Sequence, residues 1–188
     1  MPPPPTTITR SLHLLPTFTL SSGTITLDLK TQKMLLIQHI PTKEIYFPKG
    51  RKNINESLPD AALRETYEET GFRVSLLSLP NISTPTVPVP IPDLAGKCNQ
   101  SGNSTQGGCA STEPIAVTQR VLSDNTVKII FWFAAEGDSM AKAETGTQEE
   151  GEEFEAGWVG WDDVQGVLTF EDDRRLAGWV VAAARQLG

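Results

Sequence analysis

The run from Phe47 to Phe72, FPKGRKNINESLPDAALRETYEETGF, decides how this chain is read. It opens on a glycine turn, Pro48-Lys49-Gly50, and closes on Gly71. Between them the residues spell a short helix. Ser57 is placed to cap its N-terminus, with Asp60 three residues on completing a capping-box arrangement. Pro59 falls in the first turn, where its missing N–H costs little. Ala61, Ala62 and Leu63 are good helix formers, and Gly71 suits the left-handed residue just past the end. Leu63 and Tyr67, with Ala62 and Thr66 between them and the acidic side, are expected to pack on the body of the protein.

The acidic side carries the chemistry. Residues three and four apart share a helix face, so Glu65, Glu68 and Glu69 point the same way. Carboxylates gathered like that repel one another unless a cation neutralises them. A hard divalent ion such as Mg2+ or Mn2+ suits an all-oxygen set. A solvated acidic helix face is the plainer alternative.

The spacing weighs against that alternative. From Gly50 the chain runs five residues to Glu56, seven more to Arg64-Glu65, then Thr66-Tyr67-Glu68-Glu69-Thr70-Gly71-Phe72. This resembles the box of the Nudix superfamily, G-x5-E-x7-R-E-U-x-E-E-x-G-U, where U is a bulky apolar residue. Every fixed position is present. The departure is Thr66, where an aliphatic residue is usual. The resemblance implies an α/β fold, a three-layer α/β/α sandwich on a mixed β-sheet. It also implies hydrolysis of a diphosphate linkage with Mg2+, or Mn2+ as substitute. Glu68 and Glu69 would be the main metal carboxylates, Glu65 a further ligand or the general base, and the Gly50 carbonyl a further donor. Glu56 and Arg64 would stand behind them, Arg64 orienting a box carboxylate. Such enzymes often recruit one more glutamate before the last strand; Glu153 is the expected one here, then Glu152.

Bulk properties bound the partners. The net charge of −7 argues against nucleic acid or an anionic membrane as partner. It leaves room for an anionic small molecule, because a metal and local cations invert the field inside one cleft. No stretch approaches twenty apolar residues, so no membrane span is expected. The Met1–Pro5 start has no apolar core of a secretory signal. Cys98 and Cys109 are expected as reduced thiols. A cytoplasmic, or also nuclear, setting follows as the expectation.

Along the chain, residues 1–16 are expected to be disordered or an edge segment, and 17–187 one domain. Alternation predicts a strand over Thr17–Leu29, and further strands are expected over Lys33–Ile40, Ile45–Phe47, Phe72–Leu79, Ile115–Leu122, Val127–Ala135 (strongly apolar and central) and Phe154–Trp161. Gly23 marks a close backbone approach or a bulge. The Pro/Ser/Gly-rich 80–114 segment reads as an insertion, and the acid-rich 136–153 segment as a solvated loop. A short helix is expected near Asp162–Leu168. A final helix over Asp172–Leu187 should bury a stripe of Leu176, Trp179, Val180 and Ala183.

Lys49, Arg51 and Lys52 ring the glycine turn, with Lys43 and His39 close in sequence. If they face the cleft they suit a substrate with many phosphates, a diadenosine polyphosphate or a diphosphoinositol polyphosphate. The Phe-Pro-Lys-Gly run is similar to dinucleoside polyphosphate hydrolases and also to messenger RNA decapping enzymes. Nucleotide-sugar and other nucleotide diphosphatases are further alternatives. A non-catalytic binding module of the same fold is the rival from another class; such modules usually lose a box carboxylate, and all are kept here.

Overall fold

A computed structural model describes residues 11–79 and 112–187. Residues 1–10, most of the expected 80–114 insertion, and both cysteines lie outside the described residues. Among those described, eight strands make one sheet: β1 (Phe18–Asp28), β2 (Lys33–His39), β3 (Ile45–Tyr46), β4 (Lys49–Arg51), β5 (Ser75–Leu76), β6 (Ala116–Val121), β7 (Val127–Glu136) and β8 (Phe154–Gly160). The helices are α1 (Leu58–Thr70), α2 (Val164–Val167) and α3 (Glu171–Ala184). The β1–β7 pair is parallel and the other pairings are antiparallel, which makes the sheet mixed.

A parting of strands creates the site. β1 and β2 meet only at Leu27↔Met34 and Asp28↔Lys33. Beyond that, β1 pairs with β4 and β2 pairs with β3. The segment from Ile45 to Arg51 therefore bridges two diverging strands and sets the Gly50 turn where they separate. Gly23 permits this. A Cβ there would lie 2.4 Å from the Pro48 carbonyl oxygen and 2.6 Å from Lys49 Cβ, so the close approach read from the sequence is present.

The alternation in β1 sorts two layers. Ile25 and Leu27 join Ile130 and Trp132 of β7 in a core closed by Val164, Leu168, Ala177 and Val180 from α2 and α3. The intervening Ser22, Thr24 and Thr26 are fully buried hydroxyls, and Thr24 meets α1 through Thr66 at 2.7 Å. The mixed sheet thus lies between α1 and the α2–α3 pair, an α/β architecture.

Four expectations need correction. Ala61, Ala62, Thr66 and Thr70 are the uncharged residues that α1 buries. Leu63 and Tyr67 flank that face half-exposed, because hydroxyls on β1 prefer a hydroxyl partner to a leucine. In α3 the fully covered residues are Asp173, Ala177, Val180, Val181 and Ala184, while Trp179 is 45% exposed; small alanines let the helix approach the sheet closely, and size alone misplaced the stripe. The strand expected over Phe72–Leu79 pairs only at Ser75 and Leu76. The acid-rich loop is docked rather than simply solvated. Thr147 donates to the Glu68 carbonyl (2.8 Å) and the Gln148 amide to the Glu69 carbonyl (3.4 Å), satisfying groups that a helix C-terminus leaves unpaired. The Glu144 carboxylate accepts from the Tyr67 hydroxyl and the Arg73 guanidinium.

Candidate active site

The helix that carries the acids is anchored at both ends. Ser57 Oγ accepts from the Asp60 amide (3.2 Å) and its hydroxyl donates to the Asp60 carboxylate. At the far end Gly71, at φ 73°, donates its N–H to the Tyr67 carbonyl. Leucine-sized side chains are absent from its sheet-facing side, so α1 lies close to β1 and β4.

Buried acids line the turn. Glu65 and Glu69 are 8% and 3% exposed. The Lys49 amide donates to Glu69 Oε2 at 2.7 Å. Gly50 lies so near Glu65 that a side chain there would collide with its carboxylate. Burial pushes the Glu69 carboxyl up to about 8, against the lowering pull of Lys49, with Glu65 and Glu152 raising it further. Burial likewise raises Glu65, opposed by the Arg64 guanidinium. Both groups sit where a positive charge is wanted.

Arg64 is the clamp. Its Nε and Nη2 donate to the two oxygens of Glu56 at 2.7 and 2.9 Å. Its Nη1 reaches Glu68 Oε2 at 2.6 Å and Glu65 Oε1 at 2.8 Å. Nη2 also donates to the Arg51 carbonyl at 3.1 Å. One guanidinium therefore ties three acids of the box to β4, which is more than an isolated i, i+4 surface pair. The Arg64 hydrogen bond holds Glu56 below the usual carboxylate range.

The donor set fits a hard divalent ion by chemistry, since carboxylate oxygens of Glu65, Glu68 and Glu69 and a backbone carbonyl are available around one turn. Among the described residues no group of three or more His, Cys, Asp or Glu side chains is drawn close enough to hold a metal as it stands. Arg64 and the Lys49 amide do the neutralising in this arrangement.

Of the remaining expected residues, only some reach this place. Glu153 is exposed, with its backbone carbonyl taking the Ile40 amide. Its neighbour Glu152 is half-buried, and its charge acts on Glu65, Glu69 and Tyr46. Gln148 positions that loop by bonding both the amide and the carbonyl of Phe154. The Lys49 ammonium stands 4.5 Å above the Tyr46 ring. Arg51 is exposed, and the Lys52 ammonium turns back onto the Asn53 carbonyl at 2.9 Å. Tyr46 is the half-buried aromatic beneath Lys49. Sequence reasoning missed Arg120 and Lys128. The signal was a lone cation near the start of the apolar strand VKIIFWFAA. A groove of about 730 Å³ between β6 and α3, lined by Ile115, Val117, Leu176 and Trp179 among others, contains none of the box residues.

Comparison with known proteins agrees with this geometry. The NUDIX domain family matches residues 17–95. Over 60 residues the chain is 42% identical to mRNA decapping complex subunit 2 of Schizosaccharomyces pombe, covering 31% of this chain and 8% of that protein. Over 43 residues it is 44% identical to a probable DHNTP pyrophosphohydrolase of Lactococcus lactis, covering 23% and 26%. The matched stretches thus span no more than about a quarter of these relatives' lengths. In fold the chain is similar to a NUDIX-family hydrolase from Clostridium perfringens (TM-score 0.56, 22% identity, 87% of this chain and 96% of that one). It is equally similar to a Caenorhabditis elegans Ap4A hydrolase (TM-score 0.56, 15% identity, the same coverage). Residues 17–95 thus match the NUDIX domain family around a box complete from Gly50 to Phe72, on a fold shared with these structures.

Proposed function

We propose that this chain is a Mg2+-dependent hydrolase that cleaves a diphosphate linkage in a phosphate-rich small molecule, a diadenosine polyphosphate or a diphosphoinositol polyphosphate. One observation carries the reading: buried Glu65 and Glu69 meet at the Gly50 turn while Arg64 holds Glu56, Glu65 and Glu68 together. Glu68 and Glu69, with Glu65 and the Gly50 carbonyl, would hold the metal. The ion, when bound, supplies neutralisation of charge developing on the phosphoryl oxygens.

The chain's own groups do the rest. Arg64 fixes the direction of its three acids, and the Lys49 amide fixes one oxygen of Glu69. Glu65, raised by burial, is suited to take a proton from water; Glu152 is the second candidate, through its reach to the same acids. Lys49 offers a cation to the substrate. A cytoplasmic setting goes with this reading.

The test is product release with Mg2+ across diadenosine polyphosphates, diphosphoinositol polyphosphates, capped RNA and nucleotide sugars, beside Glu69→Gln. Turnover of either of the first two classes, lost in the variant, supports the reading. Turnover confined to capped RNA or nucleotide sugars replaces the substrate. No turnover with either Mg2+ or Mn2+ favours a non-catalytic binding module.

A further inference from the structure

Three cations from β4, β6 and β7, Lys49, Arg120 and Lys128, gather beside the box. Arg120 and Lys128 are register partners on β6 and β7, and opposed residues of an antiparallel pair project to the same face. Lys128 alternates with Ile130 and Trp132, whose side is the α3 side of the sheet. Lys49 reaches that side from β4, where its Cβ fills the space left by Gly23 next to Trp132. Its ammonium stands 4.5 Å from the Tyr46 ring centre, and the Arg120 guanidinium 5.4 Å from that of Phe170. The two rings are 6.2 Å apart, so two cations flank one aromatic pair.

Buried Asp173 faces Arg120 and Lys49 from α3, but these cations have few close carboxylate partners. Among the described residues neither Lys49 nor Lys128 has a carboxylate at ion-pair distance, and Arg120 reaches Asp173 only at 4.0 Å. A cation seated on a ring keeps its outward charge for another partner. Burial pushes the Lys128 ammonium down, and Lys49 and Arg120 push it further, against the opposite pull of Glu69 and Glu65. Three cations kept together in a chain of net charge −7 call for an anion. Lys49 links these cations to the box, its amide on Glu69 Oε2 at 2.7 Å.

We propose that Lys49, Arg120 and Lys128 form a phosphate-chain subsite that takes a ligand with three or more phosphate groups, running on from the diphosphate addressed by the box. This rests on the hydrolase reading for its place in a reaction. It does not rest on it for binding.

The experiment is calorimetric titration of the full chain with inorganic tripolyphosphate, once with Mg2+ and once in EDTA. The variants are Lys128→Met, Arg120→Gln and, as a distant surface control, Lys142→Ala. Each subsite substitution is expected to weaken binding about tenfold, while Lys142→Ala leaves it unchanged. Lys128→Met should melt no lower than the wild type, because it removes a desolvated, repelled charge. Binding that ignores both subsite substitutions in both buffers, or falls as much in Lys142→Ala, overturns the subsite. Tripolyphosphate binding that depends on Lys128 in a chain without turnover would sink the hydrolase reading and keep the subsite. Turnover that needs Glu69, with binding indifferent to positions 120 and 128, would do the reverse.

Discussion

The Cα of Gly50 lies against the carboxylate of Glu65 so closely that a methyl group on it would fall 1.7 Å from Glu65 Oε2. The glycine of the box is therefore required here by space, not by backbone torsion. Gly50→Ala must push Glu65 aside, and displacements of about 1 Å in such sites cost on the order of a hundredfold in rate. We expect kcat to fall by about that factor, with a stability loss of about 1–3 kcal/mol from overpacking. Steady-state kinetics with a melting curve check it; an unchanged kcat would show that Glu65 is not held by this contact.

Thr66 departs from the aliphatic residue usual at its place, and the structure supplies the reason. Its hydroxyl donates to the Ala62 carbonyl at 2.7 Å. Having one proton, it must accept from Thr24, which in turn accepts from Thr26. Thr66→Val strands the buried Thr24 donor, and should cost about 1–3 kcal/mol. Thr24→Val with Thr66→Val should cost clearly less than the sum of the single changes. Additive losses in denaturant unfolding would mean the chain of hydroxyls contributes nothing.

Much of this was legible beforehand. The box spacing announced the acidic helix, and alternation in β1 and the apolar run of β7 announced buried strands. Arg120 and Lys128 were not legible as a pair, because their meeting depends on the register of β6 against β7. Arg51 and Lys52 looked equivalent to Lys49, yet Arg51 is exposed and the Lys52 ammonium turns back onto the Asn53 carbonyl, while Lys49 stacks on Tyr46. The strap on α1 uses side chain to backbone bonds from Thr147 and Gln148 and side chain to side chain bonds at Glu144, which follow no period in the sequence. Glu152 and Glu153 are adjacent and chemically identical, so only the start of β8 separates them.

That separation is testable. Glu152→Gln should lower kcat by about ten- to a hundredfold, the lower range of lost acid–base assistance, while Glu153→Gln should stay near wild type. The opposite ranking would return the role to Glu153.

Asp28 links stability to pH at the acid end. Burial raises its carboxyl, but hydrogen bonds from Ser139 and Thr31 outweigh this and hold it well below the usual carboxylate range. The amides of Lys30, Thr31 and Ser139 all donate to it at 2.8–3.0 Å. A depressed folded-state value means the stability is present above the unfolded value near 4 and is lost as pH falls below it. Asp28→Asn should therefore destabilise the protein at pH 7 by about 1–3 kcal/mol. The gap to wild type should narrow as pH drops from about 4 towards 2. Urea unfolding across that range checks it; a gap independent of pH would contradict it.

The central claim is that the acids at the Gly50 turn hold a divalent ion on which hydrolysis depends. Its most direct measurement is the rate of product release against Mg2+ concentration, in wild type and Glu69→Gln. Glutamine keeps the shape of Glu69 and an oxygen to accept from the Lys49 amide, so the variant should fold. The rate should rise saturably with Mg2+ in the wild type, and kcat should be at least about a hundredfold lower in the variant. Equal rates in EDTA, or a variant as active as the wild type, would contradict it.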